Sequence, residues 1–382
     1  MTIAGFTSTG SKRPDLLFGA TDDQVPQRME RASGCVIRAT DGRDYLDCIM
    51  ALGAVALGYG HDEVDAAAIE AVRRGAVGSL SPQDEPVLAS AIAEVMPWME
   101  QVRFLKTGAE AVAAAVRIAR TATVRDHVIG CGYHGWLDWC SDARGVPAAT
   151  RADYESVPFN DVERTIASIR RAGDKLACVV VEPVIDRAPH ADWLAALRTE
   201  TSRTGALLVF DEIKTAFRVA LGGATERWHV QPDLTVLGKA LANGYPLAAV
   251  GGSRALMEHV NETWISSTMA TEFVSLAAAR ATIAVMRAHD VPRHLHDVGS
   301  RLLEGLQLLA DRYQGLGVRA MGIAEMCYLQ YDNDAMSQRV AAACAERGLL
   351  FKRSAYNFVS LAHDPAAVDR ALATLDEVLA AC

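Results

Sequence analysis

Apolar positions along this chain follow two rhythms. Short apolar runs at 102–105, 127–130, 176–181, 206–210, 233–237 and 247–250 are bounded by polar or glycine residues and read as strands. Helical spacing governs Asp62 to Arg74, Glu85 to Met96 (stopped by Pro97) and the stretch from Gly108 to about Thr121. Strands alternating with helices predict a wound, mostly parallel sheet of the α/β class. Before it, residues 1 to 30 are polar and irregular, and Cys35–Arg38 and Tyr45–Cys48, joined by Asp41-Gly42, predict a small hairpin. After it, an Ala-rich helix near 273–288 leads into helix, strand and helix again, closing with a helix from about Ala366; this reads as a smaller α+β lobe. The predicted division is an N-terminal segment 1–45 contributing to the small domain, a large domain 46–282 and a C-terminal small domain 283–382.

Length and composition agree with that picture and narrow the function. A chain of 382 residues exceeds one ordinary core, and 50% hydrophobic residues with only 6% aromatic suit helices packed closely on a sheet. The net charge of -9, with no dense Lys/Arg run, argues against nucleic acid as a partner. No apolar stretch reaches the ~18 residues of a spanning helix and no secretory apolar core opens the chain, so the expectation is a cytoplasmic protein away from membranes. The eight cysteines are scattered without a Cys-x-x-Cys pair and read as reduced, mostly structural thiols. Cys131-x-x-His134 with Cys140 lacks the second ligand pair of a zinc site, so no metal is expected.

Candidate chemistry gathers at strand ends. Asp211 closes the run Ala206 to Phe210, and Lys239 follows the run Pro232 to Gly238. In parallel sheets the carboxyl edge of the strands is where ligands bind, because side chains there stand on a buried scaffold and face a crevice. An amine and a carboxylate so placed suit pyridoxal phosphate: the amine condenses with its aldehyde, and the acid keeps its ring nitrogen protonated. Singly, each is also an ordinary strand ending.

Further motifs keep them company. Thr107-Gly108-Ala109-Glu110-Ala111 stands where a strand hands over to a helix, so that free N–H groups converge on a phosphate-sized point, unless Thr107 only caps the helix. Tyr133-His134-Gly135 offers a ring that could stack on a planar cofactor or pack a loop. Glu182-Pro183 carries a carboxylate at the tip of a buried strand, and Ser267-Thr268 precedes the Ala-rich helix as a second phosphate contact or as a cap. Gly130-x-Gly132-x-x-Gly135 matches the dinucleotide fingerprint, but Gly145 and Pro147 stand where the long packing helix would run, which argues against a nicotinamide site.

In this order the set resembles the class III aminotransferases, through Thr107–Ala111, Tyr133–Gly135, Glu182-Pro183, Asp211 to Arg218, Pro232 to Lys239 and Ser267-Thr268. Arg218 to Ala224 and Phe358 to His363 look closest to the glutamate-1-semialdehyde 2,1-aminomutase branch. The resemblance runs from about residue 30 and implies a fold-type I subunit, with a mostly parallel sheet of seven-stranded type in the large domain and a smaller α+β domain. It also implies a homodimer with active sites at the interface, acting on a small amino donor and a carbonyl acceptor. Lys239 is then the covalent attachment point and proton carrier, and Asp211 pairs with the ring nitrogen. Tyr133 covers the ring, Thr107, Gly108 and Ala109 receive the phosphate, Thr268 reaches it from the other subunit, and Glu182 lies near the cofactor. Val184–Asp186 and Ile213–Thr215 frame the pocket. The activity implied is amino transfer through a pyridoxamine phosphate form, with an aminomutase as the alternative.

The chain departs from the family pattern in places that bear on substrate. The usual Ser-Gly-Thr-Glu-Ala is Thr107 to Ala111 here, with one hydroxyl fewer, and the usual Gly-Asn-Pro after Thr268 is replaced by Thr271-Glu272-Phe273. Glu272 could repel an acidic substrate, bind an amine or cap its helix. No Pro-Val-Arg supplies the aminomutase's arginine; Arg28 lies nearby, and Arg353 is a candidate carboxylate clamp or a surface arginine.

Overall fold

The computed structural model describes residues 3–19 and 24–382. It divides into two compact units, one of Glu63–His289 and the other of Met1–Asp62 with Asp290–Cys382.

The first unit is built on β1 (Gln101–Leu105), β2 (His127–Cys131), β3 (Tyr154–Ser156), β4 (Leu176–Val181), β5 (Leu207–Asp211), β6 (Leu234–Leu237) and β7 (Ala248–Gly252), joined in one seven-stranded sheet. The order is β1-β7-β6-β5-β4-β2-β3, as crossover connections require. β2 pairs in parallel with β3 and β4, β4 with β5 and β5 with β6, while β7 runs antiparallel to β6 and β1. The mostly parallel sheet expected from the apolar runs is therefore present. β3 was not expected: Tyr-Glu-Ser is too short and polar to carry a rhythm, and it exists because β2 offers it a ladder.

Helices cover both faces, which is why β4 is buried at every position and reads as a continuous apolar run. Helix Gly108–Thr123 lays Ala111, Val112, Ala115 and Ala119 against Val128, Val180, Val209 and Val236. Residues one step along point the other way: Ile129, Val179, Val181, Leu208 and Phe210 pack with Ile169 of helix Val162–Ala172 and with Trp193, Leu194 and Leu197 of helix Ala191–Thr204. Each such aliphatic side chain contributes about 1.5–3 kcal/mol on burial, enough to hold the strand ends rigid. Those ends, where β4, β5 and β6 give way to Glu182, Asp211 and Gly238-Lys239, lie along one edge of the sheet.

In the second unit Val36–Ala39 and Asp44–Asp47 form the expected hairpin, turning at Gly42 with φ 80°. Met29–Ser33 extends it antiparallel, and Leu349–Leu350 joins in parallel from the far end of the chain. A second sheet of Val318–Ile323, Met326–Tyr331 and Asn357–Phe358 packs with helix Val291–Arg312, which in turn lies against helix Pro365–Ala380. Among the described residues no helix is long and apolar enough to cross a membrane.

Candidate active site

Register alone brings the two principal residues together. Asp211 stands opposite Val236 on the neighbouring strand, and Lys239 follows three positions later, after Gly238. Asp211 is 3% exposed. Its Oδ2 accepts from His134 Nδ1 at 2.9 Å and its Oδ1 from the Ile213 N–H at 3.3 Å. A carboxylate only accepts, so the His134 proton facing it sits on Nδ1, and acceptor capacity on Asp211 remains for one more donor. His134 is itself buried, Trp139 stacks on it with ring centroids 6.4 Å apart, and its Nε2 meets no partner among the described residues.

Lys239 is half-buried with φ 43°, a left-handed backbone that only a tightly packed turn imposes on a non-glycine residue. Loss of hydration brings its amine down to about 8, with the Lys214 ammonium acting in the same direction and Glu182 and Asp211 opposing it. An amine poised there is a far better nucleophile and proton acceptor near neutrality than an ordinary lysine.

Close contacts tie the other motifs to this pair. A Cβ on Gly108 would fall 2.5 Å from Ile213 Cδ1, and one on Gly238 would lie 3.4 Å from the same side chain. Ile213 thus holds the start of helix Gly108–Thr123 to the segment leading into Lys239. A Cβ on Gly132, where φ is 115°, would strike Glu182 at 2.7 Å, so the loop after β2 can run over that carboxylate only as glycine. Glu182 Oε2 accepts from Lys214 Nζ at 2.7 Å, and both side chains are buried to within 10% exposure or less. Burial pushes the Glu182 carboxyl up, against the pull of Lys214.

Thr107 closes a capping box with Glu110: its hydroxyl accepts from Glu110 N at 3.2 Å while Glu110 Oε2 accepts from Thr107 N at 2.9 Å. Beyond this cap, the N–H groups of Gly108 and Ala109 bond to none of the described residues. Tyr133 is 70% exposed, on the loop whose Gly135 touches Ala109. Thr268 opens a short 3-10 turn and is exposed. Glu272 accepts from Val274 N and Ser275 N as the cap of helix Phe273–Ala288 and pairs with Lys106 Nζ at 2.6 Å.

Arg353 and Arg28 belong to the other unit. There Arg353 donates to the Leu16 carbonyl and pairs with Asp334, and Arg28 donates to the Phe6 carbonyl while lying 4.1 Å from its ring. Sequence reading placed Lys214 only within the Ile213–Thr215 stretch framing the pocket and gave no individual role to His134 or the fully buried Arg218. For His134 a signal existed, since it neighbours Tyr133; for the pairing of Lys214 with Glu182 none did, because a lysine in a turn ordinarily faces water.

The donor set fits pyridoxal phosphate. Two unpartnered N–H groups begin a long helix, an amine of lowered pKa stands at one strand end, and a carboxylate with spare acceptor capacity stands at the next, with glycines where backbone must pass close.

The chain resembles proteins already described. The family model Aminotransferase class-III matches residues 18–379. A glutamate-1-semialdehyde 2,1-aminomutase of Pyrobaculum calidifontis is 33% identical over 391 residues, 93% of this chain and 88% of that protein. The protein of the same name in Thermomicrobium roseum is 34% identical over 414 residues, 98% of this chain and 95% of its own length. Among solved structures, the pyridoxal-phosphate internal aldimine form of the Sphingopyxis sp. MTA144 FumI protein superposes with a TM-score of 0.93 at 26% identity, covering 99% of this chain and 93% of that one.

Proposed function

The chain belongs to the class III aminotransferases, with fold-type I architecture and pyridoxal 5′-phosphate as cofactor, and from that premise we propose that it moves an amino group from an amino donor to a small aldehyde or ketone. The observation that carries the reading is Lys239, its amine at about 8, one strand away from an Asp211 braced by His134.

When bound, the cofactor supplies an aldehyde to receive the amino group and a cationic ring to absorb the electron pair left as a C–H bond breaks. The chain's residues do the rest. Lys239 Nζ would hold the cofactor and, once freed by the incoming amine, would take the proton from the substrate α-carbon and deliver it to the cofactor carbon that bore the aldehyde. Asp211, oriented by the His134 hydrogen bond, would pair with the ring nitrogen. The N–H groups of Gly108 and Ala109 with the Thr107 hydroxyl would hold the phosphate, and the Tyr133 ring would exclude water from one face. Thr268 of a second copy completes the phosphate site in a homodimer; exposed Leu80, Trp264 and Met269 on the same unit are the apolar surface such an interface covers.

The relatives' names support a second reading, an aminomutase that shifts an amino group within one molecule. Cofactor-loaded protein incubated with one amino donor at a time separates the two. Accumulation of the pyridoxamine form with release of a free carbonyl product is the result expected of the transferase. Quantitative conversion of an amino aldehyde with nothing released would replace it with the mutase.

A further inference from the structure

Asp211, Glu182, His134, Lys214 and Lys239 meet in this crevice, and their pairing is unequal. Asp211 is hydrogen-bonded to His134, and Glu182 to Lys214. Lys239 has no hydrogen-bonded carboxylate among the described residues. Lys214 and Glu182 leave water together, each nearly covered, so each favours the other's charged form against the pull of burial. Lys239 feels both carboxylates only from beyond hydrogen-bond reach, and burial and the Lys214 charge outweigh them. When two ammonium groups compete for one buried anion, the one in contact stays protonated and the other gives up its proton more readily.

Resting on the reading that Lys239 carries the cofactor, we propose that Lys214, clamped by Glu182, is a positioning residue that sets the charge of the Lys239 nitrogen and hence the pH at which the site is reactive. The groups facing Lys239 are Lys214 and Arg218 from the turn after β5, Asp211 from the end of β5 and Glu182 from the end of β4. Those facing Glu182 are Lys214, Asp211, His134, Cys131 and Tyr133. Lys214 and Glu182 act on Lys239 with opposite sign, which gives the proposal a signature that a merely structural role lacks.

The test is a pH titration of the visible absorption of the cofactor-loaded protein, which reports protonation of the Lys239 nitrogen. Lys214→Met is expected to raise the midpoint by about one unit, Lys214→Arg to leave it near that of the unaltered protein, and Glu182→Gln to lower it. The double variant Lys214→Met with Glu182→Gln should return most of the way. An unmoved midpoint in Lys214→Met, or shifts of the same sign in both single variants, overturns the proposal. Should Lys214→Met fail to take up cofactor, the pH dependence of Lys239 modification by an amine reagent in the cofactor-free protein decides by the same signs. Borohydride reduction of the unaltered protein with mapping of the adduct keeps the outcomes apart: an adduct away from Lys239 defeats the parent reading, while an adduct at Lys239 with an unmoved midpoint defeats this inference alone.

Discussion

The crevice beyond β5 and the turn that follows it hold neighbouring carboxylates with opposite fates. Glu212 is 0% exposed and fully engaged: it accepts from Ala224 N at 2.9 Å, from Thr225 N at 3.0 Å, from the Thr225 hydroxyl at 3.2 Å and from the Thr215 hydroxyl. A Cβ on Gly223 would come within 2.3 Å of it, so the chain is wound tightly round this carboxylate. Asp211, one residue earlier and equally buried, meets two donors and keeps capacity for a third. A saturated buried carboxylate holds a fold together, whereas an unsaturated one is available to a ligand.

The largest effect should come from the amine that completes the unsaturated side. Lys239→Ala is expected to abolish covalent cofactor attachment and to lower turnover by at least about 10³-fold, measured by reductive trapping and by single-turnover kinetics. Turnover within tenfold of the parent would break the comparison, because the crevice would then not be the reactive region.

The two carboxylates come next, and they should separate. Asp211→Asn is expected to cost about 10²–10³ in kcat with little change in the melting of the cofactor-free protein. Glu212→Gln forces an amide donor against existing donors and should destabilise the fold by about 2–3 kcal/mol in denaturant titrations, with turnover of the remaining folded protein nearly kept. If both substitutions act mainly on stability, the distinction is lost.

Lys239 also leaves a mark on pH dependence. Its folded value near 8 lies below the ordinary 10.5, so between those values the unfolded chain binds the proton and the folded chain does not. Stability of the cofactor-free protein relative to Lys239→Met should therefore rise from about pH 8 to 10.5 and stay at its lower level below that window. Thermal melts of both proteins across the range check the sign.

The smallest effect belongs to Thr107→Ala. Loss of the cap should cost about 1 kcal/mol and weaken cofactor retention modestly, since the Gly108 and Ala109 N–H groups remain; equilibrium dialysis measures the second part.

Much of this was legible beforehand for a simple reason. The runs ending at Val181, Asp211 and Leu237 are apolar because parallel strands are covered on both faces, so their ends can be read from the composition that covering demands. Tyr154–Ser156 escaped because an edge strand of three residues takes its structure from its neighbour. Glu272 carried three open readings because a carboxylate before a helix looks the same whether it faces a ligand or caps; in the fold it caps and meets Lys106, which lies 166 positions away.

The order of strand ends, and so the placing of Asp211, Lys239 and the Gly108 helix start on one edge, was determined by the sequence itself, since hydrophobic period and chain connectivity are local properties. Which carboxylate would be saturated, that His134 would brace Asp211, and that Lys214 would turn inward to Glu182 were decided only by tertiary structure. Hydrogen-bond capacity and desolvation depend on neighbours from distant parts of the chain, and no spacing along it records them.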